Sequence, residues 1–285
     1  MAGNCALAQA TANTLRVLDL AGAGRRIPVH PGAARPLAGD PANASQVHGA
    51  DGLGGCAALL PAARARARGE SAPAALAAAL RAQPGQIAIV ATGPLTNLAV
   101  LLALDPGAAA LARQVVVMGG TVAAPGNVAP TVEFNAGFDP EAARAVLGAP
   151  WPVTLVGLDV TGRVRLGDAE ATQLEAARTP VAAFCAAALR AYAAAYARLG
   201  DRGGAPMHDP LAVAVALDAG LVSALQLPVD VETRGELTRG MVVADQRVLA
   251  RPALLAGRRT VQVCVEVDAG AAVRRLLAAW GASGS

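Results

Sequence analysis

The chain has 285 residues, a formal net charge of +3 and 54% apolar residues, with aromatics making up only 2%. Its length suits a single α/β domain over residues 1–285, and so few aromatics require a core of Val, Leu, Ile and Ala, as in helices packed on a buried parallel sheet. The basic residues are all arginines, scattered singly and not interleaved with aromatics, which argues against nucleic acid as a partner.

Apolar residues from Cys5 to Leu20 recur at helical spacing and end in a Gly-rich stretch, so the chain opens on a helix with no strand before it. A β-like run, Ile27 to Val29, follows and closes on a Pro-Gly turn. After a polar, Gly-rich loop containing QVHGADGLGG comes an Ala-rich helix from about Pro73 to Ala82. The strand Ile87 to Val90 breaks at Thr92-Gly93-Pro94 and passes into a helix, Leu95 to Leu104, a step at which α/β proteins place ligands. QVVVMGG at 114–120 and VTLVGLDVT at 153–161 repeat the short apolar strand, giving a central, mainly parallel sheet.

Residues 166–199 read as helical, and a further helix begins at His208-Asp209-Pro210 with Asp209 as its N-cap. The segment VDVETRGELTRGMVVADQR alternates like an antiparallel hairpin around a Gly-Glu turn, VQVCVEV gives a last strand, and AAVRRLLAAW closes the chain as a helix. The cysteines, Cys5, Cys56, Cys185 and Cys264, lack metal or redox spacing and read as buried free thiols. No basic n-region opens the chain and no uninterrupted apolar run reaches membrane-spanning length, so a cytoplasmic protein without a membrane partner is expected.

The richest polar cluster is GNVAPTVEFNAGFDP, a Gly- and Pro-containing loop after the strand that ends in Met118-Gly119-Gly120. It presents Asn127, Glu133 and Asn135, two amides and a carboxylate of the kind that bind adjacent sugar hydroxyls; the bland alternative is an Asx-turn loop satisfying its own backbone. His208-Asp209 reads either as a helix cap beside a surface histidine or as a carboxylate metal ligand beside a proton-transfer group. His48 lies in a flexible loop, and His30, before Pro31-Gly32, reads as structural or surface. ATGPLTN has neither the spacing nor the lysine of a phosphate loop.

In order and spacing, GN at 3–4, IPVHPGAARPL, HGADGLGG, ATGPLTNLA, MGG, GNVAPTVEFNAGFDPEAA, VGLDVT, HDPLAVAVALD and VETRGELTRG resemble the inosine–uridine-preferring nucleoside hydrolases across essentially the whole chain. The resemblance implies a nucleoside hydrolase-like open sheet with a small β-hairpin, and Ca²⁺-dependent cleavage of a small-molecule nucleoside to ribose and free base. It also implies a homo-oligomer. By the same resemblance Asn4, Asn127, Glu133 and Asn135 would hold the ribose through an oxocarbenium-like state. His208 would protonate the departing base, and His48 would be a second histidine beside it. Asp209 and the backbone carbonyl of Thr92 would ligate the metal, which takes oxygen donors.

The family's Asp-x-Asp-x-Gly-x-Asp-Asp run has no counterpart here, so the chain is expected to be N-terminally truncated relative to the family, with a strand edge left open. Two functional classes follow: a nucleoside hydrolase, or a catalytically silent nucleoside- or ribose-binding remnant.

Overall fold

A computed structural model describes residues 2–41, 43–247 and 257–282. The chain opens on α1 (Leu7–Leu20), followed by α2 (Ser45–His48), a 3₁₀ turn at Cys56–Leu59 and α3 (Ala72–Ala82). β1 (Ala88–Ala91) leads into α4 (Thr96–Leu104) and α5 (Pro106–Ala109), and β2 (Gln114–Met118) into α6 (Phe134–Phe138) and α7 (Pro140–Leu147). β3 (Val153–Val156) is followed by α8 (Leu158–Thr161), the short β4 (Arg165–Leu166), α9 (Asp168–Ala176) and α10 (Pro180–Arg198). The chain continues with β5 (Ala205–Pro206), α11 (His208–Leu217), β6 (Val222–Val231), β7 (Val242–Ala244), β8 (Thr260–Val267) and α12 (Ala269–Ala279).

The main sheet has six strands in the order β1-β2-β3-β8-β6-β7. The first four are mutually parallel, with Val90 beside Val116, Val116 beside Thr154 and Thr154 beside Gln262. β6 and β7 then pair antiparallel as the expected hairpin, and β4 pairs with β5 in a separate two-stranded ribbon.

Strand alternation divides the core. Val115 and Val117 of β2 enter a cluster with Leu80, Leu98, Leu101 and Val146 of α3, α4 and α7. Val116 and Met118 point the other way, into a cluster with Leu174, Leu189, Leu211 and Leu276 of α9 to α12. With helices on both faces, β2 is buried on both sides, which explains its unbroken apolar run. β1 lies at the sheet edge, and among the described residues no strand pairs with its outer side.

Four expectations change. Ile27 to Val29 forms no strand; Val29 instead offers its carbonyl to the N–H of Arg68, between two irregular segments. The run at 153–161 stops being strand at Val156, because Leu158 N–H bonds back to Gly120 and the chain turns into α8. The helical stretch at 166–199 divides at Arg178, which takes φ +54°, before Thr179 caps α10 and Pro180 occupies its first turn. α11 is preceded by Met207, so Asp209 sits in the first turn and caps nothing. A proline in the first turn loses no helix hydrogen bond, so Pro210 does not fix the start of α11.

α10, with 19 residues, is the one described helix long and apolar enough to cross a membrane. Here it packs along α9, whose Asp168 and Glu175 both pair with Arg190 on its flank.

The loops around the sheet's C-terminal ends are tied down by Asp139, which is fully buried. Its carboxylate accepts from Thr96 Oγ1 at 2.6 Å, Leu37 N–H at 2.8 Å and Ala142 N–H at 3.1 Å, joining α4, the N-terminal loop and α7. Asp139→Ala leaves a buried hydroxyl and two N–H groups unmet, and should lower the unfolding free energy in urea by about 2–4 kcal/mol. A loss below about 1 kcal/mol would show that these loops are held by packing alone.

Candidate active site

A cavity of about 380 Å³ opens beside Thr92, the residue after β1, and Met118, the last residue of β2. This is the side of a parallel sheet on which α/β proteins bind ligands. Asn4, His48, Thr92, Asn127, Glu133, Asn135, His208 and Asp209 all line it, although they come from parts of the chain as distant as 4 and 209. His30 stands apart and bonds through Nδ1 to the carbonyl of Glu70.

One end of the cavity is polar, and its centre is Glu133. The segment read as an irregular loop forms α6, which Glu133 caps: its carboxylate accepts from Asn135 N–H at 2.8 Å and Ala136 N–H at 3.1 Å. It also accepts from Gly120 N–H at 2.8 Å, just past β2. Gly120 has φ +69°, and a Cβ there would lie 2.5 Å from Val242, so only glycine fits the turn that aims this N–H. Burial raises the Glu133 pKa, opposed by the three N–H groups.

The neighbouring amides are held by one end each. Asn135 donates through Nδ2 to the Met118 carbonyl at 3.1 Å, and Asn127 accepts from Phe134 N–H through Oδ1 at 2.9 Å. That leaves an acceptor on Asn135 and a donor on Asn127 beside Glu133. Neither bond is an Asx turn, since the partners lie seven and seventeen residues away, and each amide serves distant backbone with one group while lining the cavity.

The other half carries a chain of hydroxyl and imidazole groups that sequence reasoning missed. His208 Nδ1 lies 2.7 Å from Thr161 Oγ1, and its Nε2 lies 3.2 Å from Tyr196 Oη, which in turn accepts from Tyr192 Oη at 3.4 Å. His48, on the short helix α2 and not in a flexible loop, stacks on Tyr192 with ring centroids 5.5 Å apart. The signal was present: the chain has only two tyrosines, and they stand four residues apart in an Ala-rich helix, on one face.

Electrostatics differ between neighbours in sequence. Burial, with the positive charge of Arg165 and then His48 adding to it, holds His208 down at about 4, so the ring is neutral near pH 7. Burial and the charge of Glu133 push Asp209 up to about 7. Burial also lowers His48.

The described residues do not complete a metal site. No group of three or more His, Cys, Asp or Glu is placed to hold an ion among them. Asp209 and the carbonyl of Thr92 would supply two oxygens, whereas Ca²⁺ takes six to eight.

Cys185 is half-buried and lines the cavity, unlike the fully enclosed thiol expected. Burial raises it to about 11, so at pH 8 only about one in a thousand is thiolate. Iodoacetamide should label Cys185 at least about tenfold more slowly than a free thiol at pH 8, with the rate climbing as pH rises towards 11. Peptide mapping of the labelled chain would show this, and fast labelling at pH 8 would refute the buried, neutral thiol.

Comparison with known proteins finds relatives over most of the chain. A family model described as inosine-uridine preferring nucleoside hydrolase matches residues 1–274. A pyrimidine-specific ribonucleoside hydrolase RihA from Shewanella woodyi is 39% identical over 247 residues, covering 86% of this chain and 78% of that protein. The inosine-uridine preferring nucleoside hydrolase of Leishmania major is 36% identical over 246 residues, covering 86% of this chain and 77% of that protein. Among solved structures, a plant nucleoside hydrolase superposes with a TM-score of 0.92 at 31% identity, covering 99% of this chain and 89% of that one. A purine-preferring ribonucleoside hydrolase from Gardnerella vaginalis gives 0.88 at 31% identity, covering 98% and 87%. With its parallel sheet, its Glu133-centred cavity and these matches, the chain belongs to the inosine-uridine preferring nucleoside hydrolase family.

Proposed function

We propose that this chain hydrolyses the N-glycosidic bond of ribonucleosides, releasing ribose and a free purine or pyrimidine base. The observation that carries the reading is one cavity lined by two hydrogen-bonded sets of polar side chains, Glu133 with Asn127 and Asn135 beside it and the His208–Tyr196–Tyr192 chain, among apolar residues.

The polar end suits a ribose. Glu133 has used three acceptor positions on backbone N–H groups, and a carboxylate has room for about four, so one remains for a sugar hydroxyl. The spare groups of Asn127 and Asn135, with Asn4 beside them, take the adjacent hydroxyls. In its ionised form, which the three N–H donors favour, the Glu133 carboxylate stabilises the positive charge that develops as the bond to the base lengthens.

The departing base leaves with the bonding electron pair and takes up a proton, while water adds its oxygen to the anomeric carbon and releases one, so that one water is consumed with no net change in protons. The chain Tyr192–Tyr196–His208–Thr161 is continuous in hydrogen bonds, so a neutral imidazole can take a proton at one nitrogen as it gives one up at the other. In this reading His208 is a relay and not a resident imidazolium. Calcium, the ion the sequence resemblance implies, would be met by Asp209 and Thr92; with that donor set incomplete, no step is assigned to it.

The test is reducing-sugar release from inosine and uridine by the purified chain with Ca²⁺ supplied. Release above the buffer rate is expected, with His208→Ala lowering kcat by about 10²–10⁴ and Tyr196→Phe also lowering it. No release from any ribonucleoside would overturn the reading.

A further inference from the structure

The hydrogen-bonded chain Tyr192–Tyr196–His208–Thr161 draws its members from three separate stretches of the protein. Thr161 ends α8, the tyrosines lie on α10, and His208 opens α11. Their bonds run between side chains, so each stretch has to be held in register with the other two. Arg165 of β4, whose side chain does not line the cavity, is bonded to all three.

Arg165 Nη1 donates to the carbonyl of Gly162, the residue after Thr161, at 3.2 Å. Nη2 pairs with the carboxylate of Asp201 and donates to the carbonyl of Gly204 at 3.0 Å, and Nε donates to the carbonyl of Gly203 at 3.0 Å. Asp201 is joined in turn to the tyrosine helix, because its N–H donates to the carbonyl of Tyr196 at 3.0 Å. Gly203 and Gly204 lead into β5, where Pro206 pairs with Arg165, and the next residue, Met207, donates its N–H to the Val164 carbonyl at 2.8 Å just before His208. Gly204 has φ +87°, and a Cβ there would stand 2.7 Å from the carbonyl oxygen of Leu166, so this turn comes so close to β4 only with glycine. A planar guanidinium serves several acceptors fixed in different directions at once, which a lysine ammonium on a flexible stem does not.

We propose that Arg165 is a positioning residue for the proton relay, holding Thr161, Tyr196 and His208 at hydrogen-bonding distance without touching the ligand. The inference rests on the hydrolase reading, in which that relay serves the departing base. A misplacement of about 1 Å in such a chain costs up to about 10²-fold in rate. The groups assigned to the sugar are set independently, by α6, Gly120 and the Met118 carbonyl, so the cost should fall on turnover more than on binding.

The experiment compares the intact chain with Arg165→Met and Arg165→Lys, each labelled with ¹⁵N-histidine and read by NMR at one neutral pH without substrate. Arg165 is 27% exposed and Asp201 44%, so water can meet the acceptors that a variant leaves, and the variants should fold. The chain has three histidines, and His30, bonded to the Glu70 carbonyl away from the cavity, is the internal control. In both variants the ring nitrogen signals of His208 should move towards those of a free imidazole while those of His30 stay in place. For inosine, kcat should fall by about 10–10² with KM within about threefold, the lysine variant falling with the methionine one. In a Tyr196→Phe background, where the relay is already cut, Arg165→Met should cost less than about threefold more. Unmoved His208 signals in a chain of unchanged far-ultraviolet dichroism, full activity in Arg165→Lys, or a loss as large in the Tyr196→Phe background as in the unaltered chain would overturn the proposal. If no ribonucleoside is cleaved, the hydrolase reading falls, and the His208 signals still decide whether Arg165 sets the relay.

Discussion

Three backbone N–H groups converge on the carboxylate of Glu133: one from the turn after β2 and two from the start of α6. A buried carboxylate is costly unless its lone pairs are met, and here the sheet and a helix meet them together. The junction also sets the cavity, because Asn135 follows Glu133 in α6 and Asn127 bonds to Phe134 beside it. Asp139 repeats the device a few residues on, joining α4 and α7 to the N-terminal loop. The site is thus tied down where the sheet ends, and its carboxylate is in place before any ligand arrives.

The second half of the cavity works by different physics. His208 is held between two hydroxyls and kept neutral by burial and by Arg165, while burial and then Glu133 raise Asp209 next to it in sequence. One buried pocket therefore lowers the pKa of an imidazole and raises that of the carboxylate beside it in sequence. That separation matches a reaction in which positive charge grows on a sugar as negative charge leaves on a base.

Much of this was legible in the residues because its signals are local. QVVVM could only be a doubly buried strand, and the polar residues at 127, 133 and 135 stood out from an apolar chain. All the residues singled out for the site share one cavity. What stayed hidden depended on tertiary context. Tyr192 and Tyr196 sit in an Ala-rich helix where helical spacing equally describes a core stripe, and only the fold brings them to His208. The strand at 153–161 ended early because Gly120, distant in sequence, captured Leu158. Asp209 looked like a cap because Asp-Pro often is one; the structure starts α11 two residues sooner, and Asp209 lines the cavity.

The central claim is that Tyr196 and His208 serve the leaving base whereas Glu133 serves the sugar. Comparing hydrolysis of inosine with that of p-nitrophenyl riboside, whose phenolate departs without a proton, separates these roles. Tyr196→Phe and His208→Ala should slow inosine cleavage and leave the p-nitrophenyl riboside rate within a few-fold of the unaltered chain, while Glu133→Gln should slow both. If the two substrates lost rate equally in the His208 and Tyr196 variants, the division of labour in the cavity would be wrong.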